Sequence, residues 1–459
     1  MDFAGKPNVL NGLQSKLHEQ LVAFNQEHVL AFWDELADNE KENLTIQIQS
    51  IDFNLFALHQ SKQIDSKSKQ IEPCEVLALD ATYKKQGVAS IENGEIGILT
   101  VAGGQGTRLG WSGPKGTFPA TPVTGKSLFQ LIAEQILCAS KKYKTTIPWY
   151  IMTSIENDSA TRSFLIDNNC FGLKRTDIFI FTQGEIPAVD TDGNMLLETK
   201  SKIAMNPDGH GGVISALRQS GGLDEMSTRG VKYLSYVQVD NPLANAIDPN
   251  FIGLHLSEKS STEASSKCVL KIDPDERVGV FCKVNGNLEV VEYSDLPEDK
   301  ANECDGEGKL VYAGGSIAMH IFTVEFLQRI ADDLPWHKAN KKVPCINLQT
   351  GEQCKLESPN AYKFEKFVFD VLPLASNSIV VETKRNEEFA PIKNTTGQDS
   401  PETSHNMQRE RATSWLRSRG VDISGGAIIE ISPLAGACAE DLNEAELPKA
   451  IGSDEIVVI

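Results

Sequence analysis

No two cysteines in this chain have the C-x-x-C spacing of a zinc or redox site; the nine present are scattered from Cys74 to Cys438. That scatter argues against a disulfide framework and fits free thiols in a reducing compartment. No apolar run approaches the ~20 residues that a membrane-spanning helix needs. The opening MDFAGKPNVL has neither the cationic nor the apolar region of a secretory signal. Positive charge is also short: 44 Lys and Arg against 63 Asp and Glu leave a net charge of −19. Nucleic acid and anionic membrane both call for a basic surface, so neither is an expected partner. These absences predict a soluble, cytoplasmic protein, in which any site for an anionic ligand must be locally positive.

What is present is an ordinary globular composition, long enough at 459 residues for two or three domains. Residues 13–37 place Leu17, Leu21, Phe24, Leu30 and Phe32 near helical spacing and predict an amphipathic helix. The Lys- and Gln-rich stretch 61–70 predicts a solvated surface segment. EIGILTV (95–101) is a β-rich apolar run ending in glycines, followed by a helix over SLFQLIAEQILCASKK with Ser127 as its N-cap. Further strands are expected at 148–154, 177–183 and 233–240, with a helix over SATRSFLIDNN. The alternation predicts a parallel sheet flanked by helices, with a ligand at the strand ends. Beyond about 265, strands and turns dominate. NGN at 285–287 marks a hairpin, FEKFVFDVLP (364–373) reads as a helix and SIVVETKR (378–385) as a strand. The polar stretch 394–405 reads as a linker or mobile loop, the segment 406–420 as a helix, and AIIEISPL and DEIVVI as short strands.

The chemistry concentrates in LTVAGGQGTRLGWSGPKGTFP, residues 99–119. A dinucleotide G-x-G-x-x-G beginning at Gly104 fails because Leu109 stands in the third glycine's place. A P-loop ending at Gly125-Lys126-Ser127 fails because Ala120 replaces its first glycine. The physics of anion binding survives both failures: glycines let backbone N–H groups converge on a phosphate between strand and helix. Arg108 would add a charged fork and Lys115 a point charge.

The pattern G-G-x-G-T-R-L-G with a following P-K resembles the signature of nucleotidyltransferases that make nucleoside-diphosphate sugars. The stretch 183–217 is similar to the uridine- and sugar-binding region of eukaryotic-type UDP-N-acetylhexosamine pyrophosphorylases. VDNPLANAIDPNFIG, VVEYSDL, EKFVFDVLP, EEFAPIKN and EISPL follow in the family's order, from about residue 90 to the C-terminus. The resemblance implies an α/β fold: a Rossmann-like nucleotidyltransferase (GT-A-like) mixed sheet flanked by helices. With it go an N-terminal helical region over 1–92, a catalytic domain over 93–390 and a small β-rich C-terminal domain over 391–459.

The same resemblance implies that Gly103, Gly104, Gln183, Gly209 and His210 bind the nucleotide. An amide such as that of Gln183 suits a pyrimidine's imide edge, since it both donates and accepts. Arg108, Lys115 and Lys393 would meet the phosphates as catalytic groups. Asp240 would hold Mg²⁺, which takes few protein oxygens beside phosphate and water. Glu292, Ser316, Phe367 and Phe369 would line the sugar site. The chain departs from the family at His210 and Ser316, where asparagine is usual, and at Met319. The implied substrates are UTP and a sugar 1-phosphate, giving UDP-sugar and pyrophosphate, with N-acetylglucosamine 1-phosphate favoured. A glucose, galactose or broad-specificity enzyme and a non-catalytic nucleotide-sugar sensor remain the alternatives; composition does not reveal an oligomeric state.

Overall fold

Eleven strands among the described residues form one mixed sheet. They are β1 (Ile71–Pro73), β2 (Leu77–Ala78), β3 (Ile96–Val101), β4 (Trp149–Thr153), β5 (Ile178–Thr182), β6 (Tyr233–Gln238), β7 (Ala264–Leu270), β8 (Val280–Val284), β9 (Asn287–Val291), β10 (Gly314–Thr323) and β11 (Ile379–Glu382). The computed structural model describes residues 12–53, 56 and 70–459. Of the polar stretch 61–70, all but Gln70 lies outside the described residues. The main path of the sheet runs β2-β11-β7-β10-β6-β3-β4-β5. Strands β6, β3, β4 and β5 are parallel, whereas β10 runs antiparallel to both β6 and β7. The sheet is therefore mixed, and its parallel part is the one that the β–α alternation marks in the sequence.

Strand periodicity sorts the core. Ile96, Ile98, Trp149 and Ile151 enter one apolar cluster, while Leu99, Tyr150 and Met152 enter another. Successive side chains on a strand point to opposite faces, so both faces of the sheet are covered, as a parallel sheet demands. Helix α1 (Leu128–Tyr143) connects β3 to β4, with Ser127 Oγ accepting from Gln130 N at 3.1 Å as its N-cap. Helix α2 (Asp158–Asp167) connects β4 to β5. These two crossovers step away from β3 on one side, and β6 then pairs with β3 on the other. The reversal leaves a crevice beyond the carboxyl ends of β3 and β6, the place where open α/β sheets bind ligands.

Chain contacts divide the molecule into two compact units. One joins residues 12–53 and 56 with Gly184–His210 and Pro335–Phe367; the other holds 70–183, 211–334 and 368–459. This partition differs from the three-part division by chain order. Ile71–Pro73 and Leu77–Ala78 lie in the large sheet, and the C-terminal segment groups with the same unit. In the first unit, the helix expected over 13–37 stops at Ala23 and gives way to two 3₁₀ turns. Asn25, at φ 57°, turns the chain there. Leu17, Leu21 and Phe32 are buried in that unit's own apolar cluster.

Two local expectations need correction. The polar stretch 394–405 is not all linker, because helix α3 begins at Pro401 and runs to Ser418. Ser400 caps it in a reciprocal box with Thr403, and proline suits the first helical position. FEKFVFDVLP is not one helix either: Phe364 and Glu365 end a strand (Ala361–Glu365), and Val368–Leu374 form a 3₁₀ helix. The NGN hairpin is as expected, with Asn285 and Gly286 both at positive φ between β8 and β9.

His255, wholly buried, lies near Ser265 Oγ at 2.8 Å, and burial pushes its imidazole down to about 3. A folded value below the unfolded one means stability present above the unfolded value of 6.5 and lost as pH falls towards 3. We expect a slope of about 1.4 kcal/mol per pH unit from this group. Urea unfolding between pH 6.5 and 4 checks it: His255→Gln loses that slope, whatever its absolute stability.

Candidate active site

The glycine loop leaves β3 at Ala102 and is tied down by its own backbone. Gly106 N donates to Gly113 O at 2.9 Å and Lys115 N to Gly104 O at 3.0 Å. From below, the buried Asn157 amide donates to Ala102 O at 3.0 Å and to Gly104 O at 3.3 Å. Trp111 folds back, its indole N–H donating to Thr117 Oγ1 at 2.9 Å and its ring edge-on to Phe118. The result is a shaped loop with Gly104 and Arg108 exposed.

Parallel register brings the other half of the site alongside. Val101 on β3 pairs with Gln238 on β6, so Asp240, two residues beyond β6, reaches the loop. Lys115 Nζ sits 2.9 Å from Asp240 Oδ2, both side chains largely buried at 16% and 14% exposure. Burial pushes the Asp240 carboxyl up, but Lys115, and then Lys393, more than offset it and hold the group below its ordinary value. The site thus contains a carboxylate kept ionised by two cations inside a strongly acidic chain. Lys393 reaches it because Ile392 N donates to Asp240 O at 2.8 Å, while its own N–H donates to Asp399 O at 2.6 Å.

Gln183 ends β5's extension, its N–H donating to Thr153 O at 2.7 Å. Its side chain lies against the loop: a Cβ on Gly103 would stand 2.9 Å from Gln183 Oε1. Glycine at 103 is therefore a matter of close approach. On the sheet's other wing, Glu292 and Ser316 both flank Gly279. Ser316 N donates to Gly279 O at 2.8 Å, and a Cβ there would lie 3.6 Å from Glu292 Oε1. Ser316 sits where the β7–β10 register shifts, with Ala318 at φ 54°, a bulge that re-aims side chains. Met319 is buried in the core cluster beneath. Phe369 is half-buried against the opposite core cluster.

In the first unit, Gly209 lies against Lys366 and His210 meets Phe367. Gly209 has φ 84°, and a Cβ there would come within 2.4 Å of Lys366 O, so no other residue fits. His210 stacks on Phe367 with centroids 5.4 Å apart, and His337 approaches the same ring at 4.5 Å. Arg108, Lys115, Asp240, Lys393, Gly103, Gly104, Gln183, Glu292, Ser316 and Phe369 all belong to the second unit.

The sequence reasoning missed several supports. Asn157 carries no signal in SIENDSATR. Glu430, in EISPL, accepts from Val123 N at 2.8 Å and Thr124 N at 3.0 Å, and so fastens the chain after the glycine loop. Lys267 stands in β7 and is fully buried beside the buried Ser265 and Ser266; its polar neighbours in the sequence gave no sign of that burial.

A mixed α/β sheet with a glycine loop and an ion-paired carboxylate at its switch point defines a nucleotide-handling α/β protein. Comparison makes the assignment specific. Residues 51–405 match the family described as UTP–glucose-1-phosphate uridylyltransferase, and the chain belongs to that family. It is 35% identical to UDP-N-acetylglucosamine diphosphorylase 1 of Arabidopsis thaliana, over 93% of this chain and 90% of that one. It is 36% identical to UDP-N-acetylglucosamine pyrophosphorylase of Saccharomyces cerevisiae, over 79% and 78% of the two chains. The crystal structure of the uridine diphosphate N-acetylglucosamine pyrophosphorylase from Trypanosoma brucei superposes with a TM-score of 0.84 at 26% identity, over 97% of this chain and 99% of that one. The fold is that of UDP-sugar pyrophosphorylases, and the chain is of the uridylyltransferase class. No helix among the described residues is long and apolar enough to cross a membrane.

Proposed function

We propose that the chain joins UTP to N-acetylglucosamine 1-phosphate, giving UDP-N-acetylglucosamine and pyrophosphate. The observation that carries the chemistry is the 2.9 Å contact of Lys115 with Asp240, which places cation and carboxylate beside the glycine loop. The relatives' identities of 35% and 36% carry the choice of sugar. An oxygen of the sugar phosphate attacks the α-phosphorus; that P–O bond forms as the bond to the β-phosphate oxygen breaks, and pyrophosphate leaves with the electron pair. A phosphate monoester has its second pKa near about 6, so the nucleophile arrives ionised. The protein's task is then to position and to neutralise charge.

In this assignment Gly103 and Gly104 present backbone N–H groups to the triphosphate, and Arg108, Lys115 and Lys393 neutralise it. Gln183 reads the uridine, and Glu292, Ser316 and Phe369 face the sugar; for Gly209, His210 and Phe367 of the first unit, uridine and sugar roles rest on the family resemblance alone. No cluster of three or more metal-ligating side chains occurs among the described residues. The donor set is a single carboxylate, Asp240, which suits Mg²⁺ carried in on phosphate oxygens. Bound there, the ion would supply charge neutralisation at the α-phosphate. The short hydroxyl of Ser316 favours a second reading, in which glucose or galactose 1-phosphate is also accepted. All nine cysteines are free, which supports a reducing, cytoplasmic location.

Pyrophosphate release from UTP and magnesium with a panel of sugar 1-phosphates tests the proposal. Preference for N-acetylglucosamine 1-phosphate is expected; comparable rates with glucose 1-phosphate would give the broad-specificity reading. No release with any sugar, despite UDP-sugar binding, would mean a sensor. Gly103→Ala pushes a methyl against the Gln183 amide and should weaken UTP binding about tenfold, a loss of ~1.4 kcal/mol by calorimetry. Unchanged affinity would remove Gln183 from the uridine site.

A further inference from the structure

Asp240 is held at 2.9 Å by Lys115, so its distance from Lys393 depends on what fixes the segment that carries Lys393. Lys393 is exposed, in a stretch without a strand partner. Yet the residues just before it are held at almost every polar atom. Glu387 O accepts from Arg411 Nη1 at 3.0 Å, and the Glu387 carboxylate accepts from Trp415 Nε1 at 2.7 Å. Glu388 O accepts from Asn241 Nδ2 at 2.7 Å, and Ala390 N donates to Asn241 Oδ1 at 3.0 Å. Asn241 thus uses its whole amide to clamp residues 388–390 beside Asp240, its neighbour in sequence.

The far end of the clamp is a buried ion triad. Lys267 Nζ lies 2.6 and 2.7 Å from the two Glu388 oxygens and 2.7 Å from Asp248 Oδ2, and it has no exposed surface. Thr383 Oγ1 donates to Glu388 Oε1 at 2.7 Å. Asp248 meanwhile uses its other oxygen to cap the helix Pro249–His255, accepting from Asn250 N at 2.9 Å. A buried cation between two carboxylates adds little net stability but imposes one arrangement, because any shift leaves a charge unpaired. Strand β7, that helix and the segment before Lys393 are thereby locked together.

We propose that Glu388, gripped by Lys267, and Asn241 are positioning residues for nucleotidyl transfer: they set where Lys393 stands relative to Asp240. This rests on the proposed function, in which both of those side chains act on the phosphates. Groups acting on a transition state lose effect steeply with displacement, a misplacement of about 1 Å costing ~10²-fold. Binding of the nucleotide by the glycine loop does not depend on the clamp.

The test is Glu388→Gln, which leaves Lys267 and Asp248 as a balanced pair, together with Asn241→Ala. Thr383→Val serves as a mild variant that removes one hydrogen bond and keeps the shape. Turnover with UTP, magnesium and N-acetylglucosamine 1-phosphate is read beside UTP calorimetry, whose stoichiometry counts competent sites. We expect kcat to fall about tenfold or more in the first two variants and about threefold in the third, extrapolating from the steep dependence of rate on position. UTP affinity and one-to-one stoichiometry should remain. A kcat within twofold of the wild type overturns the proposal. So does a kcat that falls only in step with the stoichiometry, which is what misfolding produces, or a loss confined to affinity. Asp240→Asn and Lys393→Ala separate the two levels: if both turn over normally, the assignment of the phosphate site is at fault rather than the clamp.

Discussion

Lys115→Ala should lower kcat by about 10²–10³-fold, the scale of losing one fixed group that stabilises transition-state charge. The lysine's stem runs past Gly104, its N–H is fixed to Gly104 O at 3.0 Å, and its ammonium rests on Asp240 at 2.9 Å. It is therefore held beside the loop before any substrate arrives. Pyrophosphate leaves with more charge than it bears when esterified, and a point charge already in place needs no reorganisation to meet it. Folding should survive: the pair is largely buried, but Lys393 still faces Asp240, so the carboxylate keeps a cation and the loss stays below the ~3–5 kcal/mol of a buried charge left without any partner. Turnover assays with thermal unfolding on the same preparation check both halves. Lys115→Arg should not restore the rate, because a planar fork cannot reproduce a compact ammonium at that spacing. Wild-type turnover in Lys115→Ala would remove the lysine from the chemistry.

Much of this site could be read in the sequence because its parts are local. The glycine loop behind EIGILTV, and Asp240 at the end of YLSYVQVD, each mark the end of an apolar strand run. The pairing of Val101 with Gln238 is what turns two strand ends into one site, and strand order is not local information. The same holds for the mixed sheet: β10 runs antiparallel between β6 and β7, and its own residues do not declare their partners. Only the start of helix α3, residues 401–405, was hidden, and by a different cause; its turns from 406 onward are legible as a helix. SerPro at 400–401 is a helix start as well as a turn, and the residues after it, ETSH, are polar even though Ser404 is buried, so the segment resembles a linker. The supports of the site were the least visible. Asn157, Asn241 and Glu430 act through hydrogen bonds to backbone atoms far away in sequence, and no spacing rule reports those.

Lys267→Met should destabilise the fold by about 3–5 kcal/mol at pH 7, the cost of leaving buried charge without its partner. Two carboxylates, Asp248 and Glu388, would remain where one ammonium had satisfied both. Their titration gives the effect a signature that simple loss of packing lacks. Burial already raises the Glu388 carboxyl above its ordinary value, and Lys267 is the largest opposing influence. Without the lysine that rise grows. A carboxyl whose folded value exceeds its unfolded value contributes stability that is fully present below the unfolded value and lost as pH rises through the folded one. The deficit of Lys267→Met relative to wild type should therefore shrink between pH 7 and 5, where Glu388 takes up a proton. Taking the difference at each pH cancels the opposite trend from His255, which both proteins share. Urea unfolding of the two proteins at pH 7 and pH 5 measures it. A deficit equal at both values would mean that the space filled by the lysine's side chain matters rather than its charge. Adding Glu388→Gln to Lys267→Met should recover part of the loss at pH 7 and flatten its pH dependence, because an amide in that cavity has no proton to gain.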